Sequence, residues 1–92
     1  MAFFQKFAQT LTLYSEAGTL APGDFTGNPK KATVTLAQAM PSTDYSVAVN
    51  GQGDLRFWTI ESKTTTSFVV NANANQALTD SVDWQAQNHG AL

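Results

Sequence analysis

From Ala32 onward, apolar and polar residues alternate with a period of two, the pattern of strands that bury one face. Thr33-Val34-Thr35-Leu36-Ala37 places Val34 and Leu36 on one side and threonines on the other, and Pro41-Ser42-Thr43 then breaks the run. Tyr45, Val47 and Val49 form the inner row of a second strand, with Ser46, Ala48 and Asn50 outside. Asn50-Gly51-Gln52-Gly53-Asp54 is rich in residues that tolerate positive φ and reads as a hairpin loop. A third strand is expected from about Leu55 to Ser62, a fourth from about Thr66 to Asn71, and a last one from about Ser81 to Gln87 with Val82, Trp84 and Ala86 inward. Asn73-Ala74-Asn75-Gln76 is a second polar loop. Short strands joined by short turns predict an all-β chain, a small antiparallel β-sandwich or partial barrel of five to six strands.

The first 31 residues follow another pattern. Phe3, Phe4, Phe7, Leu11 and Tyr14 recur at three- and four-residue spacings that would line one side of a short helix, yet Thr10-Leu11-Thr12-Leu13-Tyr14 also alternates as a strand does. Both readings stay open. Between Gly18 and Lys31, two prolines and three glycines suggest an irregular connection. The expected organisation is therefore an N-terminal arm and connection over 1–31 and an antiparallel β body over 32–92.

One strand cannot be buried by a single layer. Trp58 and Ile60 fall on one face of the third strand, while Leu55 and Phe57 fall on the other. Burying one Phe is worth roughly 1.5 to 3 kcal/mol, and exposed apolar patches commonly mark interfaces. Phe3, Phe4, Phe7, Leu11, Tyr14, Leu55 and Phe57 are accordingly the expected assembly interface.

Composition sharpens this picture. Ninety-two residues make one small domain, which buries only roughly 60 to 65% of the surface its unfolded chain exposes. The chain has no cysteine, so neither disulfides nor thiolate metal sites can brace it. Charged residues are 13% of the sequence, against about 25% in a typical globular protein. A surface of Thr, Ser, Asn, Gln and Ala costs less to desolvate than one of ions and does not repel an identical copy, which favours self-association. A net charge of −2 offers no basic stripe for phosphates, so no nucleic-acid partner is expected. No run reaches the ~18 to 20 apolar residues of a membrane span, so no membrane insertion is expected. Gln5, Lys6, Gln9, Thr10 and Thr12 interrupt any signal-peptide core, which points to synthesis in the cytoplasm without an export signal.

Candidate chemistry is sparse. His89 is the sole histidine and sits in an Asn88-His89-Gly90 tail, and no nucleophile elbow surrounds any serine. Asp24, Asp44, Asp54, Asp80 and Asp83 lie mostly in or beside turns, where aspartate bonds to local backbone. The Asn50–Asp54 loop lacks the alternating acidic spacing of a calcium loop. Tyr45, Trp58 and Trp84 could stack on sugars, but they alternate in register with Val47, Ile60 and Val82, so core packing is the simpler role. No enzyme, cofactor or metal is expected.

Asp44-Tyr45-Ser46-Val47, Trp58-Thr59-Ile60, Ser62-Lys63-Thr64-Thr65-Thr66, Phe68-Val69-Val70 and Val82-Asp83-Trp84-Gln85-Ala86 together resemble small β modules of tailed-bacteriophage virion proteins, including tail-fibre ends. More loosely, Trp84-Gln85-Ala86 is similar to the last strand of the H-type lectin-like sandwich. The resemblance covers about half the chain, and Ser67 stands where many such modules carry Gly. It implies a structural virion protein on the head or tail surface, a homo-oligomer with a trimer favoured; the N-terminal arm has no counterpart in those modules, and its apolar residues are expected to anchor it on a neighbouring subunit or another virion protein. No sugar contact is carried over from the lectin; the alternative reading of the loops is a receptor-recognition tip that binds host surface glycan. There the loop residues Asn50, Gln52, Asp54, Asn73 and Asn75 would face the sugar.

Overall fold

The computed structural model describes residues 14–89. Six strands form two three-stranded antiparallel sheets: β1 (Ser15–Leu20), β2 (Lys31–Thr35), β3 (Tyr45–Gly51), β4 (Thr59–Glu61), β5 (Ser67–Asn71) and β6 (Val82–Asn88). The strand orders are β1-β6-β3 and β2-β5-β4. Among the described residues this is the all-β sandwich expected from the alternation, with no closed barrel. Only the β4–β5 link stays within a sheet, so the other connections carry the chain from one layer to the other.

The inner rows are those the period-two pattern marks. Ala32 and Val34 of β2, Tyr45 of β3, Phe68 and Val70 of β5, and Val82, Trp84 and Ala86 of β6 are buried. Phe68 lies at the centre, with its ring 5.5 Å from Trp84 and 6.5 Å from Tyr45, both edge-on. Such tilted pairs add about 0.5–1.5 kcal/mol beyond area burial. The Tyr45 hydroxyl donates across the layers to the Thr64 and Ser67 carbonyls at 2.7 and 3.1 Å. This satisfies the one polar atom that the ring brings inside. Burial pushes its phenol pKa up. Tyr45, Trp84 and the partly buried Trp58 are thus core residues.

Two expectations are corrected by the register. The stretch 18–31 is not wholly an irregular connection, because Gly18–Leu20 completes β1, which pairs along its whole length with β6 from Ser15↔Gln87 to Leu20↔Val82. Hydropathy hides this strand. Its inner position at Gly18 bears no side chain, for the Trp84 ring occupies the space: a Cβ there would lie 2.8 Å from Trp84 Cζ2. Farther on, Phe25 is buried and its ring lies 6.0 Å from Trp58. Residues 14–25 therefore belong to the sandwich.

The third expected strand is also shorter, three residues rather than Leu55–Ser62. Its partner explains why. Asn73 adopts φ +55, so the chain after β5 turns away, and the ladder that pairs Thr59 with Asn71 does not extend to residues 55–58. Phe3, Phe4, Phe7 and Leu11 lie outside the described residues.

The strands define two poles. One gathers Tyr14, Asp44, Tyr45, the Lys63–Thr66 turn and His89. The other gathers the ends of β1 and β3, the 52–58 segment and the 72–81 loop, as the Leu20↔Val82 and Gly51↔Val82 pairs require.

Candidate functional site

Segment 54–57 inverts the polarity of an ordinary strand end. Its charged side chains point toward the protein and its apolar ones toward solvent. Leu55 is 95% exposed and Phe57 79%, whereas the side chains of Asp54 and Arg56 are only 10% and 12% exposed.

The inward row forms a polar brace. Asp54 accepts from the Thr79 and Asp80 backbone amides at 3.0 and 2.9 Å and from the Thr79 hydroxyl at 3.0 Å. The Asp80 amide, the Thr79 groups and the Arg56 guanidinium together hold the Asp54 carboxyl below the usual carboxylate range, although its burial opposes them. Arg56 lies 3.9 Å from Asp54 and makes long contacts, 3.4 Å each, with the Gln76 and Ala77 carbonyls. Its Nε is buried with no acceptor among the described residues. Asn73 completes the brace by donating to the Phe57 carbonyl and, at 2.9 Å, to the Thr59 hydroxyl. Gly51 lets Trp58 pack beneath, since a Cβ there would lie 2.8 Å from the indole. A segment anchored by side chains on both sides holds Leu55 and Phe57 outward as a fixed ridge, with little conformational entropy left to lose on contact.

The two polar loops expected to face a glycan do converge at this pole, but their groups are largely spent on the protein itself. Asp54 and Asn73 build the brace, and Gln52 donates to Asp83 at 3.1 Å. Asn50 and Asn75 are exposed. Of the expected interface residues, Leu55 and Phe57 stand at this pole and half-buried Tyr14 at the opposite one, where its amide donates to Asn88 Oδ1 at 2.8 Å. Arg56 and Thr79 are not among the expected site residues, and Asp80 stands out in the sequence only as one of five aspartates mostly in or beside turns. The alternation of charge and hydrophobe in Asp54-Leu55-Arg56-Phe57 was an available signal for Arg56, but the partners of Asp54 lie 25 and 26 residues away and give no local sign.

Across the outer face of the β1-β6-β3 sheet runs an open trough between Ala17 and Ala48, floored by Gln85 and closed at one end by Thr19, Asn50 and Asp83. Thr19 donates to Asp83 there at 2.9 Å. At the Tyr14 pole, Ser46 Oγ and His89 Nε2 are 2.7 Å apart, both exposed. The neighbouring Lys63 ammonium is committed to the Tyr45 carbonyl at 2.5 Å and to the face of its ring at 4.8 Å. Among the described residues, no group of three His, Cys, Asp or Glu side chains is placed to hold a metal ion.

Fold and surface together define a small two-layer β-sandwich with a braced apolar ridge at one pole. No protein-family model matches the chain, and no similar curated protein is found.

Proposed function

We propose that this chain is a structural module of a tailed-bacteriophage particle that acts by self-association, with the Leu55–Phe57 ridge as a contact between copies. The observation that carries the reading is the ridge. Two large apolar side chains are held in solvent by ionic and polar groups turned inward, an arrangement that sacrifices stability in a single copy and gains only when something covers it. The low charge of the surface supports contact between identical molecules, and the resemblance to virion β modules supplies the setting. A closed oligomer of few copies, a trimer in the favoured form, fits both.

Magnitudes limit how the ridge works. Covering one Leu and one Phe contributes about 3–6 kcal/mol at roughly 1.5–3 kcal/mol each, whereas association costs an estimated 4–15 kcal/mol in lost freedom. A ridge meeting a polar surface would not hold two copies together. Its counterpart must bring apolar surface of its own, or several contacts must close a ring.

Light scattering on the purified full chain tests the reading. The expected result is a mass of a small whole number of copies, reduced toward one by Leu55→Ser with Phe57→Ser. A single-copy mass for the unaltered chain at tens of micromolar would sink it. Mass spectrometry of purified virions should find the chain at a fixed stoichiometry.

A further inference from the structure

The ridge and the root of the arm lie at opposite poles, and this has a geometric consequence for what covers the ridge. β1 begins next to Tyr14, beside Gln87 and Asn88, and runs toward Leu20 and Val82, the end at which Leu55 and Phe57 stand. Tyr14, which the thirteen preceding residues join, therefore stands a strand length from the ridge, and β1 runs from it toward the ridge. To reach the ridge of its own copy, the segment would have to reverse. Residues 1–14 contain no Gly, Pro, Asn, Asp or Ser, the residues that favour tight reversals. The same residues carry the apolar surface that the ridge lacks in a partner: Phe3, Phe4, Phe7 and Leu11, with Lys6 as the only charged side chain.

We infer that the ridge of each copy is the receptor for the amino-terminal segment of the next, so that copies join head to tail. This rests on the self-association proposed above and names its two surfaces. A segment of thirteen residues spans up to about 43–47 Å when extended, enough to pass from one sandwich to the far pole of a neighbour. The contact is heterologous, with donor and acceptor surfaces different. It closes into a ring if the rotation per copy permits and otherwise grows as a filament. Asp54, Arg56 and Asn73 act as positioning residues that keep Leu55 and Phe57 presented.

Complementation between two full-length variants tests this. One carries Phe3→Ser, Phe4→Ser and Phe7→Ser, and the other carries Leu55→Ser and Phe57→Ser. Sedimentation velocity should show each variant alone as single copies at concentrations where the unaltered chain is assembled. Mixing them should yield a two-copy species, because an intact segment then meets an intact ridge once per pair. Since the chain has no cysteine, a second measurement does not depend on the serine variants folding. Copies with Phe4→Cys and differently tagged copies with Leu55→Cys should form a disulfide between copies on mild oxidation, and Phe4→Cys with Ala48→Cys should not. An arm variant that stays assembled, or a mixture and a cysteine pair that show no joined species, overturns the head-to-tail contact while leaving self-association standing. A single-copy mass for the unaltered chain removes both, and a Phe4–Leu55 disulfide formed within a doubly substituted copy would then assign the ridge to the chain's own segment.

Discussion

The two poles of the sandwich handle an aromatic ring in opposite ways. At the Tyr14 pole, Tyr45 is wholly buried with its hydroxyl bonded to two carbonyls of the facing layer, and polar groups such as Ser46 and His89 lie outside. At the other pole, Phe57 is exposed with Leu55, and the charged groups Asp54 and Arg56 lie inside. The first arrangement stabilises a single molecule: apolar area leaves water and each buried polar atom is satisfied. The second does the reverse for a single molecule, and its inward ions need a dedicated set of partners to be tolerated. The contrast teaches that one pole is a folding core, while the other keeps two apolar side chains in water over a dedicated polar brace.

Substitutions at the two rings should separate these roles. Tyr45→Ala removes a fully buried ring and should cost about 3–5 kcal/mol, enough to unfold much of so small a domain in urea titrations. A cost below about 1 kcal/mol would show that the Tyr14 pole is not a folding core. Gly18→Ala comes next, because the added methyl meets the Trp84 ring; about 1–3 kcal/mol is expected from overpacking, read as a lowered urea midpoint with an unchanged slope. Tyr45→Phe isolates the hydroxyl and should cost about 1–3 kcal/mol, since two carbonyls lose their shared donor. Phe57→Ala, measured dilute enough for single copies, should stay within about 0.5 kcal/mol of the parent, as surface changes do. A larger loss would erase the contrast, for it would make Phe57 a folding residue.

The brace should respond to acid. Asp54 has a lowered pKa in the folded state because the Asp80 and Thr79 groups donate to its ionised form. Its stabilising contribution is therefore fully present above the unfolded-state value of about 3.9, and is lost as pH falls through the lower folded-state value. Protection of the Thr79 and Asp80 amides from hydrogen exchange should hold from neutral pH to about 4 and fall below that. In Asp54→Asn the acid step should disappear. An unchanged step in that variant would assign it to another group, with Glu61 the first to test, since Lys31 at 2.6 Å and Asn71 at 3.2 Å lower its pKa as well.

Much of the fold was legible because strand faces are a local property. Val34, Tyr45, Val82, Trp84 and Ala86 alternate with polar neighbours, and the buried rows follow them. β1 was hidden because its inner residue at Gly18 is small, the bulk being supplied by Trp84 from 66 positions away. Of the ridge, the two-faced run at 55–60 was legible and its brace was not.

What the chain determined by itself was the division of each strand into two faces, with apolar residues on both faces of the run 55–60. The alternation already favoured Trp58 and Ile60 as the inward row, and only tertiary structure supplied the partners that fix that choice. That choice depended on Phe25 packing against Trp58 and on Thr79 and Asp80 receiving the Asp54 carboxylate. These partners lie 25 or more residues from the groups they hold, so their energies exist only once the layers have closed.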